Sequence, residues 1–179
     1  MSQVKIQKKP KLSIVIPAYN EEEGIGGVLK ELVPLAEKEN WEIVIVDDFS
    51  SDKTVEVVED FTKKYKYIHL VKNVYNKGYG GALKAGIGAS NSDIIVTIDA
   101  DGQHNPCDIE KVAANAEKDR MIVGMRDKES YQVHTRRPGK RILTWIACFL
   151  VGQDIPDLNS GLRAFHKKNY KEFSHLLPN

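Results

Sequence analysis

Short apolar runs rich in β-branched residues alternate along this chain with segments in which apolar residues recur every three or four positions. The apolar runs predict β-strands, and the periodic segments predict amphipathic helices. The predicted strands cover residues 12–17, 42–46, 68–71, 93–98 and 121–124. The predicted helices cover residues 22–38, 53–64 and 77–89, and a fourth begins at Pro106, because proline is favoured at the first helical position.

The predicted strands are almost continuously apolar, whereas a sheet with one solvated face would show alternating polar residues. This pattern favours a mostly parallel sheet that is covered by helices on both faces. The alternation of strands with helices predicts a Rossmann-like α/β fold in a single domain, residues 1–179, with a flexible N-terminus at residues 1–10. In such folds ligands bind beyond the carboxyl ends of the strands. Candidate site residues therefore lie at positions 17–21, 47–52, 99–104 and 124–126.

Composition and charge narrow the classes of function. Of the 179 residues, 41% are hydrophobic and 28% are charged, which is typical of a soluble globular domain. The 26 basic and 25 acidic side chains leave a net charge of +1, which gives no argument for nucleic acid as a partner. Cys107 and Cys148 are far apart in the sequence, so neither a disulfide framework nor a zinc site is expected, and a reducing cytosolic setting is predicted.

The N-terminal segment MSQVKIQKKPK is polar and basic, and no apolar stretch follows it, unlike a secretory signal. The longest apolar run, residues 142–151, is too short to cross a bilayer, which takes about 20 residues. The chain stops without a clear terminal element, which predicts a truncated C-terminus.

An acidic triplet, Asp99-Ala100-Asp101, follows the fourth predicted strand. Side chains at positions i and i+2 of extended backbone point the same way, so the two carboxylates are expected to converge. Magnesium-type cations are typically held by one or two carboxylates together with substrate phosphates and water. Gln103 and His104 follow directly and could add a neutral ligand or a phosphate contact. The alternative is a turn with acidic capping residues before the next helix.

Polar residues also follow the first predicted strand. Pro17 is expected to end this strand, Tyr19 offers a ring for stacking, and Glu21 offers a hydrogen-bond acceptor. The alternative is a capped turn in which Asn20 caps the next helix. The two interpretations are compatible.

After the second predicted strand, Asp47 and Asp48 are placed to accept hydrogen bonds from a ribose or a base. Ser51 or Asp52 is expected to cap the helix that follows. Since this cap needs neither Asp47 nor Asp48, at least one of the two is predicted to be functional.

The segment NKGYGGA at 76–82 opens the third predicted helix. Glycines allow close backbone approach, and a helix N-terminus attracts anions, so Lys77 and Gly78 are candidate ligand contacts. The segment lacks the residues of a Walker loop and the spacing of a dinucleotide-binding motif. Tight packing of the helix on the sheet accounts for the glycines equally well.

Basic residues follow the fifth predicted strand. Arg126 comes first, and guanidinium groups bind phosphates bidentately. A basic cluster then leads into the apolar run 142–151, at Arg136, Arg137, Lys140 and Arg141. Such a segment, with Trp145 and Phe149 in the apolar run, predicts an interfacial helix at a membrane. The alternative is a core helix with a solvated, charged start.

A last polar loop contains Asp157, Asn159 and Ser160 and precedes a short run at residues 162–165. Arg163 in this run is a candidate for contact with phosphates. The alternative is an ordinary turn.

Together these segments resemble inverting glycosyltransferase family 2, which has the GT-A fold, and most closely its dolichyl-phosphate mannose synthase and polyprenyl-phosphate glycosyltransferase branch. The resemblance covers nearly all of the chain, and six motifs in this order are specific although each is weak alone. They are SIVIPAYNEE at 13–22, IVIVDDFSSDKT at 43–54, NKGYGGALKAG at 76–86, TIDADGQH at 97–104, VGMR at 123–126 and DLNSGLRAF at 157–165.

The resemblance implies transfer of mannose, glucose or an N-acetylhexosamine from a GDP- or UDP-linked donor to a polyprenyl or dolichyl phosphate. It implies a divalent metal, Mg²⁺ or Mn²⁺, with the ligands Asp99, Asp101 and Gln103. The nucleotide sugar is assigned to Pro17, Tyr19, Glu21, Asp48, Lys77, Gly78, Asp99, Ala100 and Asp101. The catalytic residues are assigned as Asp101, Asp157, Arg126 and Arg163.

The resemblance also places the acceptor and the membrane at residues 127–151, with Arg136, Arg137 and Arg141. It implies a location at the cytoplasmic face of a membrane, either peripheral or anchored through C-terminal helices that many relatives carry and this chain lacks.

The expected reaction is a single in-line displacement at the anomeric carbon with inversion, in which the metal and arginines stabilise the leaving nucleoside diphosphate. A lipid phosphate is already ionised and needs little general-base help, so Asp157 would act as a base only for a hydroxyl acceptor. The alternatives are a soluble glycosyltransferase that acts on a glycan hydroxyl and a nucleotide-binding module without catalysis. A nucleotidyltransferase is a third, but its glycine- and lysine-rich N-terminal loop is absent.

Overall fold

The computed structural model describes residues 9–102, 105–116, 120–124 and 160–174. From residue 13 to residue 123 strands and helices alternate as the apolar pattern predicts, and a strand at 163–166 with a helix at 167–173 adds two elements that were not predicted. The strands are β1 (Ser13–Ala18), β2 (Glu42–Asp47), β3 (Ile68–Lys72), β4 (Ile94–Thr97), β5 (Ile122–Val123) and β6 (Arg163–His166). The helices are α1 (Ile25–Glu39), α2 (Thr54–Lys64), α3 (Gly78–Ala89), α4 (Pro106–Ala114) and α5 (Lys167–Phe173).

The six strands form one mostly parallel sheet in the order β3-β2-β1-β4-β6-β5. β1 is central and pairs in parallel with β2 and β4, with Ser13 opposite Glu42 on one side and Ile95 on the other. β6 is antiparallel to both β4 and β5, in a register that places Arg163 opposite Thr97 and Val123. The α/β class and the mostly parallel sheet are therefore confirmed.

Helices cover both faces of the sheet. Successive residues of a strand point to opposite sides, so each strand contributes side chains to two separate cores. On one face Ile14 and Ile16 belong to a large core with residues of α1, α2 and α4. On the other face Val15 packs with Ile87 of α3. Burial of both faces explains why the central strands have almost no polar positions.

Helix α3 lies very close to the sheet at Gly86. A β-carbon at this position would lie 2.5 Å from Cγ1 of Val15 and 2.8 Å from Cγ2 of Val46, both on buried strands. Gly86 therefore serves helix–sheet packing at this point. In the segment 76–82, β-carbons on Gly78 and Gly80 would meet nothing within 4 Å, so tight packing on the sheet does not account for these two glycines. The packing at Gly86 holds the first turn of α3 in a defined position at the carboxyl edge of the sheet.

Replacing Gly86 by alanine is expected to lower the free energy of unfolding by about 1–3 kcal/mol, because the added methyl overfills a packed interface. Urea denaturation monitored by circular dichroism measures the change. Gly88→Ala is the matched control, since a β-carbon on Gly88 of the same helix meets nothing within 4 Å. The control is expected to be neutral or more stable, and equal stabilities for the two variants would contradict the packing argument.

Candidate active site

The loops that follow β1 and β2 are joined by hydrogen bonds at the carboxyl edge of the sheet. The Asn20 N–H donates to Ser50 Oγ at 3.0 Å, and the Ser51 N–H donates to Asn20 Oδ1 at 2.9 Å. Asn20 has a left-handed backbone with φ 55°, which asparagine tolerates. The prediction that Asn20 caps α1 is wrong, because its side chain binds the neighbouring loop and Gly24 stands at the N-cap without a side-chain bond.

The N-cap position of α2 is Lys53, which has no side-chain cap bond, so the prediction that Ser51 or Asp52 caps this helix is wrong. Asp52 instead joins the loops after β1 and β2. Its Oδ1 accepts from the Thr54 N–H at 2.9 Å, and its Oδ2 accepts from the Glu22 N–H at 3.1 Å. Thr54 Oγ1 in turn accepts from the Glu21 N–H at 2.8 Å. The polar residues after β1 and β2 thus hold one another and form a rigid wall of the site.

Pro17 is buried inside β1 and does not end it, since the strand continues to Ala18. The Asp48 N–H donates to the Ala18 carbonyl at 2.9 Å, and the Ile98 N–H donates to the Val15 carbonyl at 3.2 Å. Because successive residues face opposite neighbours, the Pro17 nitrogen points toward β4. The last pair on that side joins Val15 to Thr97, so the pairing with β4 ends where proline lacks an N–H to donate.

The two aspartates after β2 have different environments. Asp47 is the last residue of β2, and its carboxylate accepts a long bond of 3.3 Å from the Ser50 N–H. Asp48 is 3% exposed, and its Oδ1 accepts from Asn73 Nδ2 at 2.7 Å and from the Lys77 N–H at 2.9 Å. Asp48 therefore anchors the loop between β3 and α3, and its contact with a nucleotide stays a prediction.

This anchor brings two further predicted residues to the site. Lys77 is held next to Asp48 through its backbone, and its Nζ lies 5.6 Å from the centre of the Tyr75 ring. The Gly78 N–H donates to Asn76 Oδ1 at 2.9 Å, with φ 73° at Gly78, a conformation that favours glycine.

The acidic triplet lies beyond the end of β4, which stops at Thr97. Ala100 and Asp101 form a turn that continues into Gly102 with φ 72°, so the extended backbone assumed for the triplet is wrong. Ala100 is 4% exposed and packs inward, whereas Asp101 is exposed and Asp99 is half-buried. The turn nevertheless brings both carboxylates to the same edge as the loops after β1 and β2.

The pKa of Glu21 depends on the acidic groups around it. Its pKa is raised above the usual range by burial first, and then by the negative charges of Asp101, Asp52 and Asp99. The loops after β1, β2 and β4 therefore contribute to one patch of negative potential. Tyr19, in the same loop as Glu21, is 51% exposed, so its ring is accessible to a ligand.

Two residues that were not predicted as site residues contact Asp99. The Tyr79 hydroxyl donates to Asp99 Oδ1 at 3.0 Å. Gly161 lies directly against the same side chain, and a β-carbon on Gly161 would collide with the Asp99 carboxylate. Both residues fall in motifs quoted above, NKGYGGALKAG and DLNSGLRAF, but their proximity to Asp99 arises from three separate elements of the fold.

Tyr79 remains a hydrogen-bond donor across the physiological pH range. Burial raises the pKa of Tyr79 to about 12, and the charge of Asp99 and the hydrogen bond to it act in the same direction. The positive charge of Arg163 acts in the opposite direction, which shows that Arg163 lies close to the Tyr79–Asp99 pair.

Arg163 reaches the site from β6. It is half-buried, and its Nε donates to the Ser160 carbonyl at 3.0 Å. The antiparallel pairing with β4 places Arg163 opposite Thr97, two residues before Asp99. The Arg163 guanidinium thus lies near the carboxylates. A residue that neutralises the charge of a bound phosphate would need such a position.

The carboxylates of Asp99 and Asp101 fit a divalent cation whose remaining ligands come from the substrate. Among the residues that the structure describes, no three His, Cys, Asp or Glu side chains form a metal cluster. A pair of carboxylates on a turn, with two more close by, is the arrangement in which Mg²⁺ or Mn²⁺ takes its remaining ligands from phosphates and water. The mutual repulsion of these carboxylates is relieved when a cation binds.

Several predicted residues lie outside the described ranges. They are Gln103, His104, Arg126, Asp157, the segment 127–151 and its Arg136, Arg137 and Arg141. Among the helices that the structure describes, none has the length and apolar character needed to cross a membrane.

The sequence model of glycosyl transferase family 2 matches residues 13–174. The chain therefore belongs to glycosyl transferase family 2, which confirms the family that its motifs predict.

Three curated relatives are similar over most of this chain. It is 38% identical over 174 residues to protein MJ1222 of Methanocaldococcus jannaschii, covering 92% of this chain and 68% of that protein. It is 35% identical to the UDP-N-acetylglucosamine–dolichyl-phosphate N-acetylglucosaminyltransferase of Methanococcus voltae, covering 92% and 72%. It is 28% identical to the undecaprenyl-phosphate 4-deoxy-4-formamido-L-arabinose transferase of Proteus mirabilis, covering 90% of this chain and only 50% of that enzyme.

The solved structures show the same fold at low identity. One is glucosyl-3-phosphoglycerate synthase from Mycobacterium tuberculosis with Mn²⁺, UDP-glucose and phosphoglyceric acid. It superimposes with a TM-score of 0.70 at 20% identity, covering 89% of this chain and 57% of that one. The chain thus corresponds to the shared GT-A core.

Proposed function

We propose that this chain is the catalytic core of a metal-dependent inverting glycosyltransferase that moves a sugar from a nucleoside diphosphate to a polyprenyl phosphate. The observation that carries the proposal is the meeting of Asp99, Asp101 and Arg163 at the carboxyl edge of the sheet, where the charges of all three act on Tyr79. Carboxylates for a cation and a guanidinium for phosphate are the groups that a diphosphate leaving group requires.

Each group has a defined part in the proposed reaction. Asp99 and Asp101 would hold the divalent ion, which supplies Lewis-acid stabilisation of the diphosphate. Arg163 would stabilise negative charge on the leaving group or on the acceptor phosphate. Tyr19 and Glu21 would contact the nucleoside, beside the loop anchored by Asp48. Displacement by an ionised lipid phosphate requires no general base. The proposed transfer therefore needs no histidine among the contacts of the described residues.

The acceptor is proposed from the relatives. The Methanococcus voltae and Proteus mirabilis enzymes carry dolichyl phosphate and undecaprenyl phosphate in their names, and both align over about nine tenths of this chain. This chain spans half of the Proteus mirabilis enzyme and 72% of the Methanococcus voltae enzyme. Because the acceptors in these names are membrane lipids, a location at the cytoplasmic face of a membrane is part of the proposal.

The donor is tested by thermal unfolding with UDP, GDP and their sugars, each with and without Mn²⁺ or Mg²⁺. A ligand that binds only the folded chain raises its melting temperature, by an amount that corresponds to about 2.7 kcal/mol at a hundredfold excess over Kd. A sugar-transfer assay with polyprenyl phosphate then follows. Binding without transfer to the lipid or to any glycan would indicate a nucleotide-binding module and contradict the proposal.

The membrane contact is tested with the triple variant Arg136→Gln, Arg137→Gln, Arg141→Gln. Each basic residue near an anionic surface contributes about 1 kcal/mol, so flotation with vesicles that contain phosphatidylserine and polyprenyl phosphate is expected to fall by about two orders of magnitude. The control replaces three exposed lysines around the end of α2, Lys63, Lys64 and Lys66, by glutamine. Unchanged flotation of the arginine variant would instead favour a glycan hydroxyl as acceptor.

A further inference from the structure

The side chain of Asp99 is confined on two sides by parts of the chain that are distant in sequence. On one side Tyr79 donates a hydrogen bond of 3.0 Å to Oδ1. On the other side the Gly161 backbone lies so close that a β-carbon there would collide with the carboxylate. A carboxylate held in this way cannot change its rotamer without breaking the bond to Tyr79 or moving the loop before β6.

Both confining elements are themselves fixed. Tyr79 is in the first turn of α3, which is held by the bond from the Lys77 N–H to buried Asp48 at 2.9 Å and by the close packing of Gly86 on the sheet. Gly161 is held by its carbonyl, which accepts from the buried Thr97 Oγ1 at 2.8 Å. Thr97 ends β4, the strand that leads into Asp99, so the contacts close a loop around this one carboxylate.

We propose that Tyr79 is a positioning residue, which fixes the carboxylate of Asp99 in the orientation that binds the divalent ion. This inference rests on the proposed function, in which Asp99 is a metal ligand. Partners that hydrogen-bond a ligating carboxylate orient it and tune its affinity for the metal, and their loss typically weakens metal binding about 10–100-fold. An ionised carboxylate has about four lone-pair sites, and the bond from Tyr79 uses one of them.

A purely structural role predicts a different result. Tyr79 is half-exposed, at 50%, and is not among the residues of the described hydrophobic core clusters. Tyr79→Phe keeps the ring and removes only the hydroxyl. If the hydroxyl served the fold, the variant would lower the melting temperature and the affinity for nucleotide without metal. If the hydroxyl positions Asp99, only the affinity for the metal falls.

The experiment is calorimetric titration of Mn²⁺ into the chain saturated with UDP, and separately with GDP. For Tyr79→Phe we expect Mn²⁺ affinity to fall about 10–100-fold, while the melting temperature and the metal-free nucleotide affinity stay at wild-type values. Tyr75→Phe is the matched control, because Tyr75 lies in the preceding loop with 60% of its side chain exposed and packs against Lys77. The control is expected to bind Mn²⁺ as the wild type does.

The outcomes separate the inference from the function on which it rests. Wild-type Mn²⁺ binding together with unchanged affinity in Tyr79→Phe would overturn the positioning role and leave the proposed function standing. A lower melting temperature or weaker metal-free nucleotide binding in Tyr79→Phe would likewise overturn it in favour of a structural role. No Mn²⁺ binding by the wild-type chain with either nucleotide would overturn both.

Discussion

Replacing Asp101 by asparagine is expected to abolish metal-dependent binding of the sugar donor while the fold stays intact. Asp101 is exposed on the turn after β4, so the substitution removes one negative charge without changing the packing of the core. The amide is a much weaker ligand for a hard cation than the carboxylate, and Asp99 then remains as the main protein ligand. Sugar transfer is expected to fall by several orders of magnitude.

Calorimetry with nucleoside diphosphate and Mn²⁺, followed by the transfer assay, measures this effect. Asp60→Asn is the matched control, because Asp60 is an exposed aspartate of α2 whose ion pair with Lys63 at 3.1 Å lies on the surface. Surface pairs of this kind contribute about 0–1 kcal/mol, so the control is expected to keep both stability and activity. Wild-type transfer by Asp101→Asn would exclude the metal role assigned to Asp101.

Replacing Gly161 by alanine is expected to have a second large effect, by displacing Asp99. The new β-carbon would collide with the Asp99 carboxylate, and the Thr97 bond to the Gly161 carbonyl prevents the loop from moving away freely. Asp99 would then have to rotate and give up its hydrogen bond from Tyr79. Metal-dependent donor binding is therefore expected to fall at least as much as in Tyr79→Phe, and overpacking is expected to lower stability by about 1–3 kcal/mol.

The same calorimetric titration, combined with urea denaturation, separates the two effects. Gly27→Ala is the control, since Gly27 lies on the exposed side of α1 and a β-carbon there meets nothing within 4 Å. A Gly161→Ala variant that binds Mn²⁺ and donor with wild-type affinity would show that the orientation of Asp99 does not matter for binding.

Most elements of the fold follow from local patterns. The buried strands around Val15, Val44 and Val96 are apolar on both faces, and this pattern alone predicts parallel strands covered by helices. The ends of elements are less predictable. Helix α1 begins at Ile25 instead of residue 22, because the backbone after Glu21 first forms a turn in which the Gly24 and Ile25 N–H groups donate to the Glu21 carbonyl.

Pro17 and β6 show why pairing cannot be deduced from composition. Pro17 looks like the end of a strand, but β1 continues to Ala18 through its pairing with β2, and only the pairing with β4 ends before Pro17. The run that contains Arg163 is short and gives no direction by itself. Its antiparallel pairing with β4 and β5 places Arg163 beside the acidic triplet.

The residue types and their order along the chain were enough to predict an α/β sheet, the family and an acidic edge containing Asp99 and Asp101, because periodicity and strand ends are local properties. The contacts of Tyr79 and Gly161 with Asp99 could not be predicted in this way. They depend on the packing of α3 against the sheet and on the register of β6 beside β4, which bring residues distant in sequence within hydrogen-bonding or van der Waals distance. Such contacts arise from the folded chain as a whole, and no local pattern encodes their geometry.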